Sequence, residues 1–181
     1  MKEPISVYFA GKIAKNDWRH GIVPNLRNSW FGVCSNPADP REIEPIRFEF
    51  SDTVLDYAGP FLVACDHGCF HGAHAHGIAT EEMPESGYGL ERLVTFKLCL
   101  SWLRKAHAVF AHVESGDAQG TLFELGWAYN RLPVFLNFAC VEIARECWFA
   151  AQGASAVSVN PDPRAALQCF LPAMRLCRES N

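Results

Sequence analysis

The sequence predicts an α/β fold built on a parallel sheet. Five short apolar runs, rich in β-branched or aromatic residues, are the first sign of it. Segments of helical spacing separating the last four are the second. Near-continuous hydrophobic runs suit strands covered on both faces. Strands that alternate with helices imply right-handed crossovers and hence parallel neighbours. A third observation is a polar, glycine-bearing stretch directly after one apolar run, Glu114-Ser115-Gly116-Asp117-Ala118-Gln119-Gly120-Thr121. Sheets of this kind bind ligands at the carboxyl ends of their strands, where such loops lie.

The elements follow in order. Ile5–Ala10 is the first strand and Phe61–Cys65 the second, then Ala108–Val113, Pro133–Leu136 and Ala156–Val159. Between them, the segment from Gly89 to Lys105 places Leu93, Phe96, Leu100 and Leu103 on one helical stripe. Helices are expected next at Thr121–Arg131 and Val141–Ala151. The last is Pro163–Arg178, with Asp162 able to cap and Pro163 in the first helical position. The expected result is a doubly wound, flavodoxin-like sheet of five parallel strands, with helices on both faces. The Pro-, Asn- and Gly-rich stretch from Gly11 to Pro60 fits this plan least, although Ile46–Phe50 reads as a possible extra strand. That stretch and Gly68–Gly89 read as long loops above the carboxyl edge, a type that tends to be functional.

With 181 residues, 49% of them hydrophobic, the chain can bury one sizeable core, and one domain spanning 1–181 is expected. A net charge of −4 and the lack of a Lys/Arg block argue against a nucleic acid polymer as partner. The opening Met1-Lys2-Glu3-Pro4 has no signal-segment pattern, and no apolar run approaches the about 20 residues that cross a bilayer. A cytoplasmic protein without membrane contact is expected. Eight cysteines are many, but Cys99, Cys140, Cys147, Cys169 and Cys177 fall in helix or strand patterns and read as small buried hydrophobes.

Glu124 is the residue on which a functional reading turns. It follows the Ala108–Val113 strand and its glycine turn, so it is expected in the first turn of a helix at the mouth of the sheet. One reading is a capping box. Thr121 would accept from the Glu124 backbone N–H, and the Glu124 carboxylate from that of Thr121. The other is a pre-positioned, ionised carboxylate, favoured by the helix dipole and suited to covalent glycosyl chemistry. Gly120, just before the threonine, lets the loop pass close to a ligand.

Three motifs carry a family resemblance: Val7-Tyr8-Phe9-Ala10-Gly11, Tyr57-Ala58-Gly59-Pro60-Phe61, and Gly120-Thr121-Leu122-Phe123-Glu124-Leu125-Gly126 with Ala128. Together they resemble the nucleoside 2-deoxyribosyltransferase-like family, over roughly half the chain. The resemblance implies double displacement at the anomeric carbon of a nucleoside or nucleoside monophosphate, with Glu124 as nucleophile. A second base (transferase) or water (hydrolase) would resolve the glycosyl ester. Tyr8 would orient the nucleophile, whereas without the resemblance it reads as a core aromatic. Gly11, Gly120 and Thr121 belong to the shared motifs and are expected at the substrate. Many members carry an Asp two residues before the Gly-Thr pair, where this chain has Ala118. Asp117 stands one place earlier. It is a candidate for binding or protonating the leaving base, or else an ordinary loop residue making a turn. The resemblance further implies a homo-oligomer acting on a small molecule, without metal or organic cofactor.

Other residues near the expected crevice complete the candidate site. Asp66 and His67 follow the second strand; Asp66 is a candidate general acid, and His67 a contact to base or 5′-phosphate. In Asn16-Asp17-Trp18-Arg19-His20, Asp17 is a candidate substrate contact, Trp18 a candidate base-stacking ring and Arg19 a candidate phosphate or carboxylate partner. The alternative there is a helix start capped by Asn16 or Asp17, with Trp18 packed beneath. Ser115 and Gly116 are candidates to cradle a phosphate. Cys65–His76 holds four of the seven histidines, yet its Cys-x-x-x-Cys spacing matches no zinc template, and no metal is expected. Rival functions are a phosphoribohydrolase of the lysine-decarboxylase-like type, which would want Pro-Gly-Gly before the turn, a non-catalytic nucleotide-sensing module, and a zinc-stabilised interaction domain.

Overall fold

The computed structural model describes residues 3–13, 17–26, 44–60 and 92–179. Their order is β1 (Ile5–Ala10), a 3₁₀ turn (Trp18–Gly21), β2 (Ile46–Phe50), β3 (Thr53–Tyr57), α1 (Arg92–Lys105) and β4 (Ala108–Val113). Then come α2 (Gln119–Ala128), β5 (Val134–Phe138), α3 (Val141–Glu146), α4 (Trp148–Gln152), β6 (Ala156–Val159) and α5 (Pro163–Glu179). The six strands form one sheet in the order β2-β3-β1-β4-β5-β6. All neighbours are parallel except β2 and β3, which pair as a hairpin. The protein is thus an α/β fold on a mostly parallel sheet. Among the described residues no helix is long and apolar enough to cross a membrane.

The sheet has six described strands, not five. The extra strand at Ile46–Phe50 is present as β2, while the expected second strand, Phe61–Cys65, lies outside the described residues. The place beside β1 is held by β3, which sequence patterning did not single out. Its Thr-Val-Leu-Asp-Tyr run alternates in burial yet carries two polar residues, so it is less apolar than the runs that did stand out. The hairpin makes it a strand. Ser51 takes a φ of 54° in the turn, and Arg47 donates to Asp56 across the pair at 2.9 Å. From α5, Arg175 bonds both Asp52 and Thr53 and fastens the turn.

Side chains alternate between the two faces of a strand. Phe9, Phe110 and Phe135 stand in register on one face, where Phe110 and Phe135 meet Phe170 of α5. Tyr8, one residue earlier than Phe9, points to the other face, where α2 lies. Asp162 caps α5 as expected, accepting from the Arg164 N–H at 2.9 Å. The helix expected over Val141–Ala151 is broken into two at Cys147. Phe96, placed on the inward stripe of α1, is 44% exposed and lies against Phe123 of α2, while Leu100 and Leu103 are buried. Of the cysteines read as buried, Cys147 is, and Cys169 is exposed.

At the carboxyl edge, a polar ladder ties three strands together. Asn137 of β5 donates to His112 Nδ1 of β4 at 2.7 Å and to the Asn160 carbonyl at 2.9 Å, and accepts from Ser158 of β6 at 2.7 Å. Burial holds the His112 imidazole neutral, its pKa lowered to about 4. Its Nδ1 is therefore available as the acceptor.

Candidate active site

The chain runs from β1 out to β3 on one side and returns to β4 on the other, so β1 and β4 flank the point where strand order reverses. Crevices form at such a point because the two connections leave in opposite directions. Here the loop after β1 and the loop entering α2 enclose a cleft of about 370 Å³. Gly11, Lys12 and Ile13 form one wall, residues 117–121 the other, and Glu124 also opens onto it.

Glu124 does not cap its helix. Helix α2 begins at Gln119, after Ala118, with no side-chain cap bond and no acid in its first turn. The start lies two residues earlier than the sequence suggested, so Thr121 and Glu124 fall at the third and sixth helical positions. Glu124 therefore belongs to the second turn, beyond the free N–H groups, and the capping box does not form. Instead the carboxyl turns to the sheet, where the Tyr8 hydroxyl donates to Oε1 at 2.5 Å.

Electrostatics at this pair are set by enclosure. Burial raises the Glu124 pKa from 4.5 to about 7, while the Tyr8 hydrogen bond and the Arg19 guanidinium pull it down. The helix dipole is thus not what governs its ionisation. Burial, with Cys99 and Glu124 nearby, pushes the Tyr8 phenol well above its ordinary range, so it stays a donor. Cys99 of α1 lies against this hydroxyl, its own thiol pushed up to about 12 by burial and by Glu124. A neutral tyrosine and a neutral thiol surround a carboxyl poised between its two states near neutral pH.

Asp117 is exposed. It accepts from Lys12 Nζ at 2.8 Å and from Ser115 Oγ at 2.5 Å, and these bonds hold its carboxyl below the usual range. Gly11 is tightly framed: a Cβ there would stand 2.8 Å from Trp18 Nε1 and 2.9 Å from the His112 carbonyl. Gly120 is the opposite case, since a Cβ there meets nothing within 4 Å. Gly11, Asp117, Gly120, Thr121 and Glu124 thus share the cleft, with Tyr8 behind Glu124. Ser115 meets it only through Asp117. Gly116 faces α3, where a Cβ would stand 2.6 Å from a Glu146 carboxylate oxygen.

Three expected substrate contacts do other work. Arg19 is fully buried, and its guanidinium donates to the carbonyls of Phe9 (2.8 Å), Gly11 (2.7 Å) and Lys12 (3.4 Å) and to Asp17 (2.9 Å). Leaving the sheet orphans those carbonyls, and a guanidinium with five donors can satisfy several at once. Arg19 thus serves the chain's own carbonyls and Asp17. Asp17 is buried too, capping the 3₁₀ turn through the Arg19 N–H at 3.0 Å. Trp18 stacks on Phe9 at 5.7 Å and meets Phe110 and His112 edge-on, so it packs beneath the loop as the alternative reading held. Asp66, His67 and the segment Cys65–His76 lie outside the described residues. Among the described residues no cluster could hold a metal ion.

Sequence reasoning passed over Lys12 and Cys99. Lys12 follows Gly11 at the end of β1, and the switch-point argument applied to Glu124 reaches it equally. Cys99 carries no local signal, because only the packing of α1 over β1 brings it to Tyr8. The arrangement as a whole defines an α/β protein with a carboxylate in a cleft at its strand-order reversal and a buried tyrosine bonded behind it. The chain matches no family model, no curated protein and no solved structure.

Proposed function

We propose that the protein cleaves the N-glycosidic bond of a nucleoside or nucleoside monophosphate through a glycosyl ester on Glu124. The observation that carries this reading is the hydrogen bond from the buried Tyr8 to Glu124, the carboxylate that opens onto the cleft. On this reading the sheet is a doubly wound, flavodoxin-like one. Its five parallel strands run β3-β1-β4-β5-β6, a second-first-third-fourth-fifth order, with β2 added at the edge.

The chemistry follows from the groups present. Tyr8 occupies one carboxylate oxygen and fixes the plane of the other. That second oxygen attacks C1′ of the sugar as the C1′–N bond breaks, and the base leaves with the bonding electrons and takes up a proton. Positive charge growing on the sugar favours the ionised carboxylate, which a pKa near 7 makes accessible at neutral pH. Water or a second base then attacks C1′ from the opposite face, and Glu124 is released as a carboxylate. This sequence calls on no metal or organic cofactor. The same reading takes the protein as a cytoplasmic homo-oligomer, with Asp66 as acid to the departing base and His67 as a contact to the base or a 5′-phosphate.

The test is a panel of ribo- and deoxyribonucleosides and their monophosphates, incubated with and without a second free base. Released or exchanged base is followed by chromatography, and acid-quenched protein by mass spectrometry. A sugar adduct on the peptide bearing Glu124, absent from Glu124→Ala, is expected. If no member of the panel releases or exchanges its base, the reading fails.

A further inference from the structure

Lys12 is a cleft residue that the proposed chemistry does not use. Its backbone is held rigidly, because the buried Arg19 guanidinium donates to the carbonyls of both Gly11 and Lys12. From that fixed root the side chain crosses the mouth of the cleft and meets Asp117 at 2.8 Å. Asp117 belongs to the other wall, and its second oxygen takes the Ser115 hydroxyl at 2.5 Å. Each carboxylate oxygen thus has one donor of its own and keeps acceptor capacity to spare.

We propose that Lys12 is a positioning residue that holds Asp117 across the cleft as a fixed hydrogen-bond acceptor for the substrate. The proposal rests on the nucleosidase reading above, and it settles which of two tasks Asp117 performs there. A carboxylate bonded by an ammonium and a hydroxyl has no proton to give, so Asp117 accepts from a substrate N–H or O–H and does not protonate the leaving base. Among the described residues, Glu114 at the start of this loop, Glu124 in the same cleft and Glu146 beside Gly116 are further carboxylates near Asp117. Each would favour a protonated Asp117, and Lys12 opposes them.

A plain surface ion pair makes a different forecast. Lys12 and Asp117 side chains are 54% and 66% exposed, and pairs so exposed contribute little to stability. Lys12→Met should therefore leave the melting temperature unchanged. On the positioning reading it raises KM about tenfold with little change in kcat, and Lys12→Arg restores most of the loss. A KM unmoved in Lys12→Met would overturn the proposal while base release by the unmutated protein kept the nucleosidase reading alive. A fall in kcat at constant KM would also overturn it, pointing to a proton-donating Asp117. Titration of the Asp117 carboxyl by carbon NMR reads the contact without turnover. The midpoint should rise in Lys12→Met, and an unmoved midpoint refutes the proposal even if no nucleoside is ever cleaved.

Discussion

Glu124→Gln should make the protein more stable at alkaline pH while abolishing the proposed base release. In the folded chain burial lifts this carboxyl from 4.5 to about 7. The native state therefore binds the Glu124 proton more tightly than the unfolded state does. The stabilisation from that proton is complete below the unfolded value of 4.5 and is lost as pH rises through about 7. Each pKa unit is worth about 1.4 kcal/mol, so ionisation costs the fold on the order of 3 kcal/mol once complete. Glutamine keeps the carbonyl that accepts from Tyr8 and never ionises. At a urea m-value of about 2 kcal/mol/M, that cost is a midpoint shift of more than about 1 M. Urea unfolding of both proteins at about pH 5 and about pH 8.5 makes the comparison, with every other titrating group common to both. The variant should match the parent at the lower pH and exceed it at the higher one. A difference that is the same at both pH values would show that Glu124 is not desolvated, and a variant weaker at both would fit a lost polar contact.

Other perturbations separate the parts of the site. Tyr8→Phe removes a donor that lowers the Glu124 pKa, so the ascending limb of a pH–rate profile, expected near 7, should move to higher pH. A limb that stays in place would detach Tyr8 from the carboxyl. Gly11→Ala forces a Cβ to within 2.9 Å of a backbone carbonyl and should cost about 1–3 kcal/mol of stability. Gly120→Ala puts the same methyl into open cleft, so thermal melting should be within about 0.5 kcal/mol of the parent while KM rises. For His112, burial depresses the pKa from 6.5 to about 4, so its stabilisation is lost as pH falls across that interval. His112→Gln should flatten the loss, and acid denaturation curves of the two proteins check it.

Most strands that declare themselves in sequence are deeply buried. β1, β4 and β5 are covered on both faces, so a nearly continuous apolar run marks each of them, interrupted only by Ser6, His112 and Asn137; β6 shows a similar run although it is half exposed. β3 is half polar and is defined by its hairpin partner, a relation that no local window contains. The site divides along a similar line. Glu124 and Gly11 are legible because strand ends and glycine turns announce them. The error about α2 was one of register: Ala118 offers no capping side chain, so nothing in the sequence marks the helix as starting at Gln119, and two residues decide which turn holds the carboxylate. Arg19 is ambiguous in sequence because a cation near a strand end looks the same whether it serves a ligand or the chain's own carbonyls. Only burial tells these apart.

That internal use of Arg19 has a thermodynamic consequence for whatever enters the cleft. The carbonyls at the end of β1 are already bonded, so the wall they form stands in its final shape before any ligand arrives. A binding partner loses no affinity to ordering that wall. Across the gap, the Lys12–Asp117 contact is exposed and adds little to folding stability. Substitutions at the mouth should therefore tune which molecules are accepted, and those around Arg19 should decide whether there is a cleft at all.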